Sequence, residues 1–475
     1  MRVETSYFFS GIGGSGMLPL ALIMRARGHA VAGSDRALDQ GLTAGKFAFL
    51  EAQGIILHPQ DGSGLTSSAQ VLVTSAAVED TVPDVLKARA LGCREMRRAA
   101  LLSSLFNAAE TSIGVAGTSG KSTTTAMIAW ILSSLDRRPT VINGAVMKNF
   151  VTPHAPIASA VVGRPDLFVA EVDESDGSIS QYDASVAVVN NIAEDHKSMD
   201  ELRSLFSAFA ARSGRVVLNL DNAESKALSE DLPRDRWIGF SLLHPEADCF
   251  GFELSLLPDG CAFKTRLKDE TAAVRLAAPG AHNAANALAA IAATAALGVP
   301  LGQAARALDS FSGVKRRLEI VGAAGGVTVI DDFAHNPDKI TATLATLKAS
   351  KGRLLVFFQP HGYGPLRLMR SGFVSAFGNS LGPDDMLLLP DPVYHGGTTD
   401  MSFGSEGLVA DLAAIGAPAH YCSTRQAAQK TLLDAARAGD RIVVMGARDD
   451  TLTDFARNLL QGVSERERRQ GESVP

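Results

Sequence analysis

Nine residues constrain this chain most. Gly117 to Thr125 reads GTSGKSTTT, with the apolar run Ile113-Gly-Val-Ala before it and Ala126-Met-Ile-Ala-Trp-Ile-Leu continuing from it with helical character. A strand, a glycine turn and a helix start aim several backbone N–H groups at one spot where the helix dipole is positive, so they cradle phosphate oxygens. In such a loop Lys121 reaches the terminal phosphates of a nucleoside triphosphate and the Ser122 hydroxyl holds Mg2+. Gly117, Thr118, Ser119, Gly120 and Thr123 complete the cradle. The pattern GxxxxGK[ST] is broken once, because Val115 stands where its first glycine belongs. A glycine turn merely capped by Ser and Thr is the plainer alternative.

A strand–loop–helix unit of this kind belongs to a parallel sheet, and the rest of the chain repeats the alternation. Its 475 residues exceed one core, and at about 150 residues per domain three are expected. Residues 1–108 open with the strand-like Tyr7-Phe-Phe-Ser, the turn Gly11-Ile-Gly-Gly-Ser-Gly-Met, and a helical stretch from Leu18 to Ala26. The strand Ala30 to Ser34 then ends in Asp35, about 20 residues beyond the glycines, where a dinucleotide fold reads a ribose. Val71-Leu-Val-Thr-Ser75 supplies another strand ending in small polar residues. Residues 109–313 carry the phosphate loop and the strands Leu167–Ala170, Val186–Val189 and Val216–Asn219. After the glycine-bearing linker Phe311-Ser-Gly-Val, residues 314–461 repeat the pattern at Val327, Arg353, Met386 and Arg441, and residues 462–475 read as a charged, disordered tail. The expected fold class is α/β, with Rossmann-like first and third domains around a central P-loop domain whose sheet is mainly parallel.

Composition narrows the partners. Apolar residues at 46% and charged residues at 20% are globular proportions, and a net charge of −6 gives no reason to expect nucleic acid or an anionic membrane. The N-terminus lacks a signal-peptide core and no apolar run is long enough to span a bilayer, so a cytoplasmic protein is expected. Cys93, Cys249, Cys261 and Cys422 are too scattered for a zinc site or a disulfide framework. Composition leaves the oligomeric state open.

In parallel sheets, ligands bind beyond the carboxyl ends of the strands. After Leu167–Ala170 comes Glu171-Val-Asp-Glu-Ser-Asp-Gly-Ser, and after Val186–Val189 comes Asn190-Asn-Ile-Ala-Glu-Asp-His196. A carboxylate from one of these ends, with Ser122, would complete an oxygen-rich Mg2+ site, whereas an acidic loop on its own is a solvated cap. In Gly280-Ala-His-Asn-Ala-Ala-Asn, residues Asn283 and Asn286 fall on one helix face, suited either to an adenine edge or to capping. Lys315-Arg-Arg317 precedes a strand ending Asp331-Asp-Phe-Ala-His335-Asn-Pro, a basic turn and an acid suited to ATP phosphates and ribose, or a solvated charge pair.

Taken in order, GIGGSGM, GTSGKSTTT, EVDESDGS, NNIAEDH, GAHNAAN, GVKRR and DDFAHNP resemble the Mur ligases, above all their alanine-adding branch, from Phe8 to Gly446. The resemblance implies an ATP-dependent, amide-forming ligase of peptidoglycan precursor synthesis whose domains bind UDP-N-acetylmuramate, ATP and an amino acid in turn. It implies that Gly13, Gly14, Ser15, Gly16 and Met17 contact the UDP-sugar, with Asp35 and Ser75 near its uracil or ribose. Lys121, Glu171 and His196 would be catalytic, and Ser122, Glu171 and His196 would hold Mg2+, two ions in all. Asn283 would contact adenine, while Arg317, Asp332 and His335 would serve the rest of ATP. Some relatives carry a modified Lys about fifteen residues after the metal-binding His, and the absence of Lys between Ser198 and Arg215 agrees with the alanine-adding branch.

The acceptor segment departs from the pattern. Phe358-Gln-Pro-His-Gly-Tyr-Gly-Pro-Leu-Arg367 stands where that branch resembles FQPHRYxRT, so Gly362 and Pro365 replace two arginines expected at the amino acid's carboxylate. Losing a guanidinium fork there is not conservative. His361, Tyr363 and either Arg367 or Arg370 in a shifted register are the acceptor candidates, and Arg448 also replaces a usual glycine. Three readings stay open: L-alanine addition, a paralogue or recycling-type ligase using another amino acid or a peptide, and a nucleotide-binding regulator without ligase activity.

Overall fold

The structure, a computed structural model, describes residues 5–194, 197–393, 400–447, 449 and 451–472. Three sheets organise it, each carrying one domain of an α/β fold. The first has the order Ile56–His58, Ala30–Ser34, Ser6–Ser10, Gln70–Thr74, Arg94–Arg97, with every pair parallel. Side chains alternate across a strand, so Phe9 and Phe8, both fully buried, fill separate cores on its two faces. The glycine turn follows Ser10 at the carboxyl edge of the central strand and leads into the helix Met17–Ala26.

The second sheet has ten strands. Its centre runs Arg215–Asn219, Val186–Val189, Thr111–Ala116, Arg164–Glu171, Pro139–Ile142, all parallel, so the ends Ala116, Val189 and Glu171 open onto one edge. These strands are buried on both faces, and their continuous apolar runs are what a covered parallel sheet requires. Cys249–Leu257, Gly260–Leu267 and Glu270–Leu276 extend the far side, and the sequence pattern does not expose them because charged residues interrupt their apolar positions. Phe106 packs edge-on against Phe168 at 5.9 Å and Tyr182 at 5.2 Å, joining the helix Arg98–Asn107 to this sheet.

The chain passes from one compact unit to another between Val314 and Lys315. The third sheet has the order Glu319–Ala324, Val327–Asp332, Arg441–Gly446, Leu354–Gln359, Met386–Leu389, Ala419–Tyr421, with only its first strand antiparallel. Leu354, Val356 and Phe358 face one core and Leu355 and Phe357 the other. The expected tail 462–475 is corrected: the helix Thr451–Glu472 runs through most of it. Val463 buries against the sheet, the Gln461 amide donates to Glu465 one turn on, and Glu467 accepts from the Gly325 N–H, so an apparently featureless charged segment has a docked face. All four cysteines are free and buried.

Candidate active site

Gly117 and Gly120 take φ of 139° and 82°, conformations open to glycine at little cost, and Gly120 precedes the helix Lys121–Ser134. A Cβ at Gly120 would lie 2.4 Å from Asn286 Oδ1 and 2.8 Å from Asn190 Nδ2, so the position is closed to other residues by contact as well. The neighbouring strand end clamps the loop. Thr118 N–H donates to the Asn191 carbonyl (3.1 Å), Ser119 N–H to Asn191 Oδ1 (2.8 Å), and Thr118 Oγ1 bonds both backbone groups of Ala193. Asn190 Nδ2 donates to Thr124 Oγ1 (2.9 Å), which donates in turn to Asn286 Oδ1 (3.2 Å). Asn286 and Asn283 do share a helix face, joined at 3.2 Å, and both are buried. Asn286, read from sequence with Asn283 as a face for an adenine edge or a cap, is a brace of the loop.

Lys121 Nζ donates to the Gly117 carbonyl (2.8 Å) and to both oxygens of Glu174, the closer at 2.8 Å. Burial alone would lower the Lys121 pKa, but Glu174, Glu171 and Asp173 outweigh it and hold the ammonium above its ordinary value. Burial also pushes the Glu174 carboxyl up against the pull of Lys121, so three carboxylates compete for a single ammonium. Ser122 Oγ donates to Glu171 Oε2 (2.8 Å), which also accepts from Gly144 N–H (2.8 Å). The oxygens of Ser122 and Glu171 are the donors a hard cation requires, and the buried Asn143 Oδ1, on the residue whose Nδ2 holds the Ser122 carbonyl, has no hydrogen-bond partner among the described residues. This donor set fits Mg2+. His196, expected beside it, lies outside the described residues, as does Arg448.

In the first domain Gly14 and Ser15 are exposed at the tip of the glycine turn. Asp35 braces that turn by accepting from Gly13 N–H (2.8 Å) and caps the next helix through Ala37 N–H (2.9 Å). Gly16 lies against Arg98. The Met17 side chain, 2% exposed, belongs to the core, which leaves its backbone to face the turn. The Ser75 carbonyl accepts from Arg97 (3.2 Å).

In the third domain Asp332 is buried and accepts from Leu318 N–H (2.6 Å), Ala334 N–H (2.8 Å) and Thr343 Oγ1 (3.0 Å), fastening the basic turn to the sheet. Arg317 lies 4.8 Å above the Phe333 ring, while Arg316 turns inward to Asp331 (3.2 Å). His335 Nδ1 bonds the Phe333 carbonyl (2.9 Å) and its ring meets His361 edge-on at 5.3 Å. Burial, then Lys339, and lesser contributions from His361 and Arg317, outweigh that bond and push the His335 pKa down to about 3, so it is a neutral imidazole. Tyr363 is buried, which raises its phenol. Arg370 donates two hydrogen bonds to the Asp411 carboxylate (2.6 Å each) across the face of Phe403, and Arg367 pairs with Asp400. Arg367 and Arg370, the two alternatives for the missing guanidinium, are therefore each tied to a carboxylate.

Family models match end to end: Mur ligase family, catalytic domain, over 6–110; Mur ligase middle domain over 115–294; and Mur ligase, glutamate ligase domain, over 316–448. A UDP-N-acetylmuramate–L-alanine ligase of Streptomyces coelicolor is 35% identical over 469 residues, 96% of this chain and 97% of its own. The chain belongs to the Mur ligase family. Two solved Mur ligase structures show the same fold at 24% identity. A UDP-N-acetylmuramate–alanine ligase of Thermotoga maritima has a TM-score of 0.77, covering 98% of this chain and 100% of that one. A murein peptide ligase of Psychrobacter arcticus has a TM-score of 0.70, with 97% and 99% coverage. Within this Mur ligase, Lys121, Ser122, Glu171 and Asn283 belong to one compact unit, and the third-domain candidates belong to the other.

Proposed function

We propose that this Mur ligase joins L-alanine to the lactyl carboxylate of UDP-N-acetylmuramate at the expense of ATP, in peptidoglycan precursor synthesis. The observation that carries the reading is the part-buried set of Lys121 and Ser122 on a phosphate loop with Glu171 at the end of the adjoining strand, in a chain like the alanine-adding relatives along its whole length. A carboxylate oxygen attacks the γ-phosphorus, the bond to ADP breaks, and an acyl phosphate forms. The amine nitrogen then attacks the carbonyl carbon, loses a proton, and the tetrahedral intermediate expels phosphate. Transfer between two anions needs charge neutralisation and alignment more than a covalent protein group. Lys121 brings the fixed positive charge, and the helix start Gly120 to Ser122 turns its backbone N–H groups toward the phosphates. Mg2+, two ions by family likeness, would be held by Ser122, Glu171 and His196 and would screen the transferred phosphoryl. Gly13 to Gly16, Asp35 and Ser75 serve the UDP-sugar, and Asn283 the adenine. A cytoplasmic setting suits these substrates, and no helix among the described residues is long and apolar enough to cross a membrane.

A second reading keeps the mechanism and changes the amine. Gly362 and Pro365 remove two guanidinium groups from the acceptor segment, and Arg367 and Arg370 are already paired, which favours an acceptor other than free alanine, such as a peptide. Phosphate release from ATP and UDP-N-acetylmuramate, measured with each of several amino acids and with L-alanyl peptides, decides between them. Turnover with L-alanine supports the first reading. Turnover with a peptide and none with L-alanine replaces it by the second.

A further inference from the structure

One guanidinium stands between the two nucleotide seats of the first compact unit. Arg98 opens the helix Arg98–Asn107 and lies along the glycine turn, where a Cβ on Gly16 would meet its Cδ at 3.0 Å and its Nη1 at 3.4 Å. Its Nη2 bonds Asp176 Oδ2 at 3.2 Å, with side chains 21% and 29% exposed. Asp176 belongs to the acidic turn after strand Arg164–Glu171. There Ser178 N–H donates to Asp176 Oδ1 (2.8 Å), Ser178 Oγ to the Asp173 carbonyl (3.3 Å), and Gly177 N–H to the Glu174 carbonyl (3.1 Å). Glu174 in turn holds Lys121, with 8% and 14% of the two side chains exposed. The same helix grips the turn further on, through Ser103 to Gln181 Oε1 (3.2 Å) and Asn107 to the Gln181 carbonyl (2.8 Å).

Lys121 and the glycine turn are thus joined by one ion pair, one tight turn and a second ion pair. Anions bound at the two ends act on that turn together. A triphosphate at Lys121 competes with Glu174 for the ammonium, and a diphosphate at the glycine turn competes with Asp176 for the Arg98 fork. Each ligand releases the turn from one of its two ion-pair anchors, so the second ligand to arrive meets a turn already loosened. We propose that Arg98 is a positioning residue that couples occupancy of the UDP-sugar seat to occupancy of the ATP seat, and that the coupling is favourable in both directions. Linkage requires the factor to be the same whichever ligand binds first.

The inference rests on the seats assigned under the proposed function, so its test separates the two. Titration calorimetry of the full chain with a non-hydrolysable ATP analogue, with and without saturating UDP-N-acetylmuramate, gives the coupling factor. On the order of tenfold tighter binding is expected in the wild type, the middle of the usual range for coupled sites. Arg98→Ala should bring that factor to within about twofold of one. Arg98→Lys, which keeps the charge but loses the fork, and Asp176→Asn, which leaves Arg98 in place, should do the same while remaining folded. A residue that only supported the fold would weaken each ligand alone and leave the ratio unchanged. A wild-type factor near one, or a wild-type factor retained in Arg98→Lys and Asp176→Asn, overturns the coupling. Lys121→Ala checks the seats themselves: it should weaken the ATP analogue and spare the UDP-sugar, and the reverse outcome defeats the site assignment instead.

Discussion

The phosphate loop and the acceptor segment both follow a strand of a buried parallel sheet, yet they use their polar residues differently. Around Gly117–Ser122 the polar side chains that carry the site are spent on partners distant in sequence: Ser122 on Glu171, Lys121 on Glu174, Thr124 on Asn286. Around His361–Arg370 the charged side chains point to surface carboxylates, Arg367 to Asp400 and Arg370 to Asp411. Phosphate is gripped mainly by backbone N–H groups, so Ser119 or Ser122 can replace another small polar residue without changing what binds. A carboxylate is gripped by guanidinium side chains, so on the proposed acceptor assignment Gly362 and Pro365 bear on which amine binds.

The largest expected effect lies on the phosphate side. Lys121→Ala should lower phosphate release by at least about 1000-fold, the scale on which fixed cationic groups act in phosphoryl transfer. UDP-N-acetylmuramate affinity, measured separately, should stay within a few-fold of wild type; a mutant retaining a tenth of the activity would remove Lys121 from the mechanism. Gly120→Ala tests the loop's shape. Its Cβ would fall 2.4 Å from Asn286 Oδ1 in a residue at φ 82°, and the left-handed conformation alone costs about 1–2 kcal/mol. ATP affinity should fall about 100-fold, of which roughly tenfold is backbone strain and the remainder the displaced asparagines.

Much of this contrast is legible in the sequence, for a physical reason. The phosphate loop is local: strand, glycines, Lys and Ser are consecutive, and its acidic partner Glu171 announces itself by following an apolar run of strand length. Glu174, Asn190 and Asn286 stand inside segments the sequence singles out, but their hydrogen bonds to the loop span up to 162 residues and no spacing rule reaches so far. Met17 illustrates the converse. It belongs to the glycine motif by position, yet the helix it begins turns its side chain into the core. The acceptor segment fails for a third reason, since a motif read by likeness says what is missing at Gly362 without saying where Arg367 points.

Restoring the acceptor pattern sharpens the comparison. Gly362→Arg with Pro365→Arg should leave ATP affinity unchanged and change selectivity among amines. If free L-alanine is the substrate, its KM should fall by about tenfold, the worth of one charge-assisted pair of roughly 1.5 kcal/mol. If a peptide is the substrate, kcat/KM for that peptide should fall while L-alanine turnover rises. No change in the KM for any amine would detach this segment from acceptor binding.

The smallest effect concerns the His335 ring in the third domain and separates burial from catalysis. Its folded pKa of about 3 lies below the ordinary 6.5, so between these values the unfolded chain binds a proton that the folded chain refuses. Stability from this group is therefore present in full above about pH 6.5 and is lost as pH falls toward 3, at roughly 1.4 kcal/mol per pH unit. Replacing the ring by a side chain that does not titrate but still donates to the Phe333 carbonyl, as in His335→Asn, should flatten that slope. Between pH 6.5 and 5 the wild type should lose about 2 kcal/mol more than the variant, read as the pH dependence of the urea midpoint. Equal slopes would mean that His335 accepts its proton in the folded state, and with Lys339 and Arg317 near it the third domain would then present a pH-dependent positive cluster where the wild-type structure places a neutral imidazole.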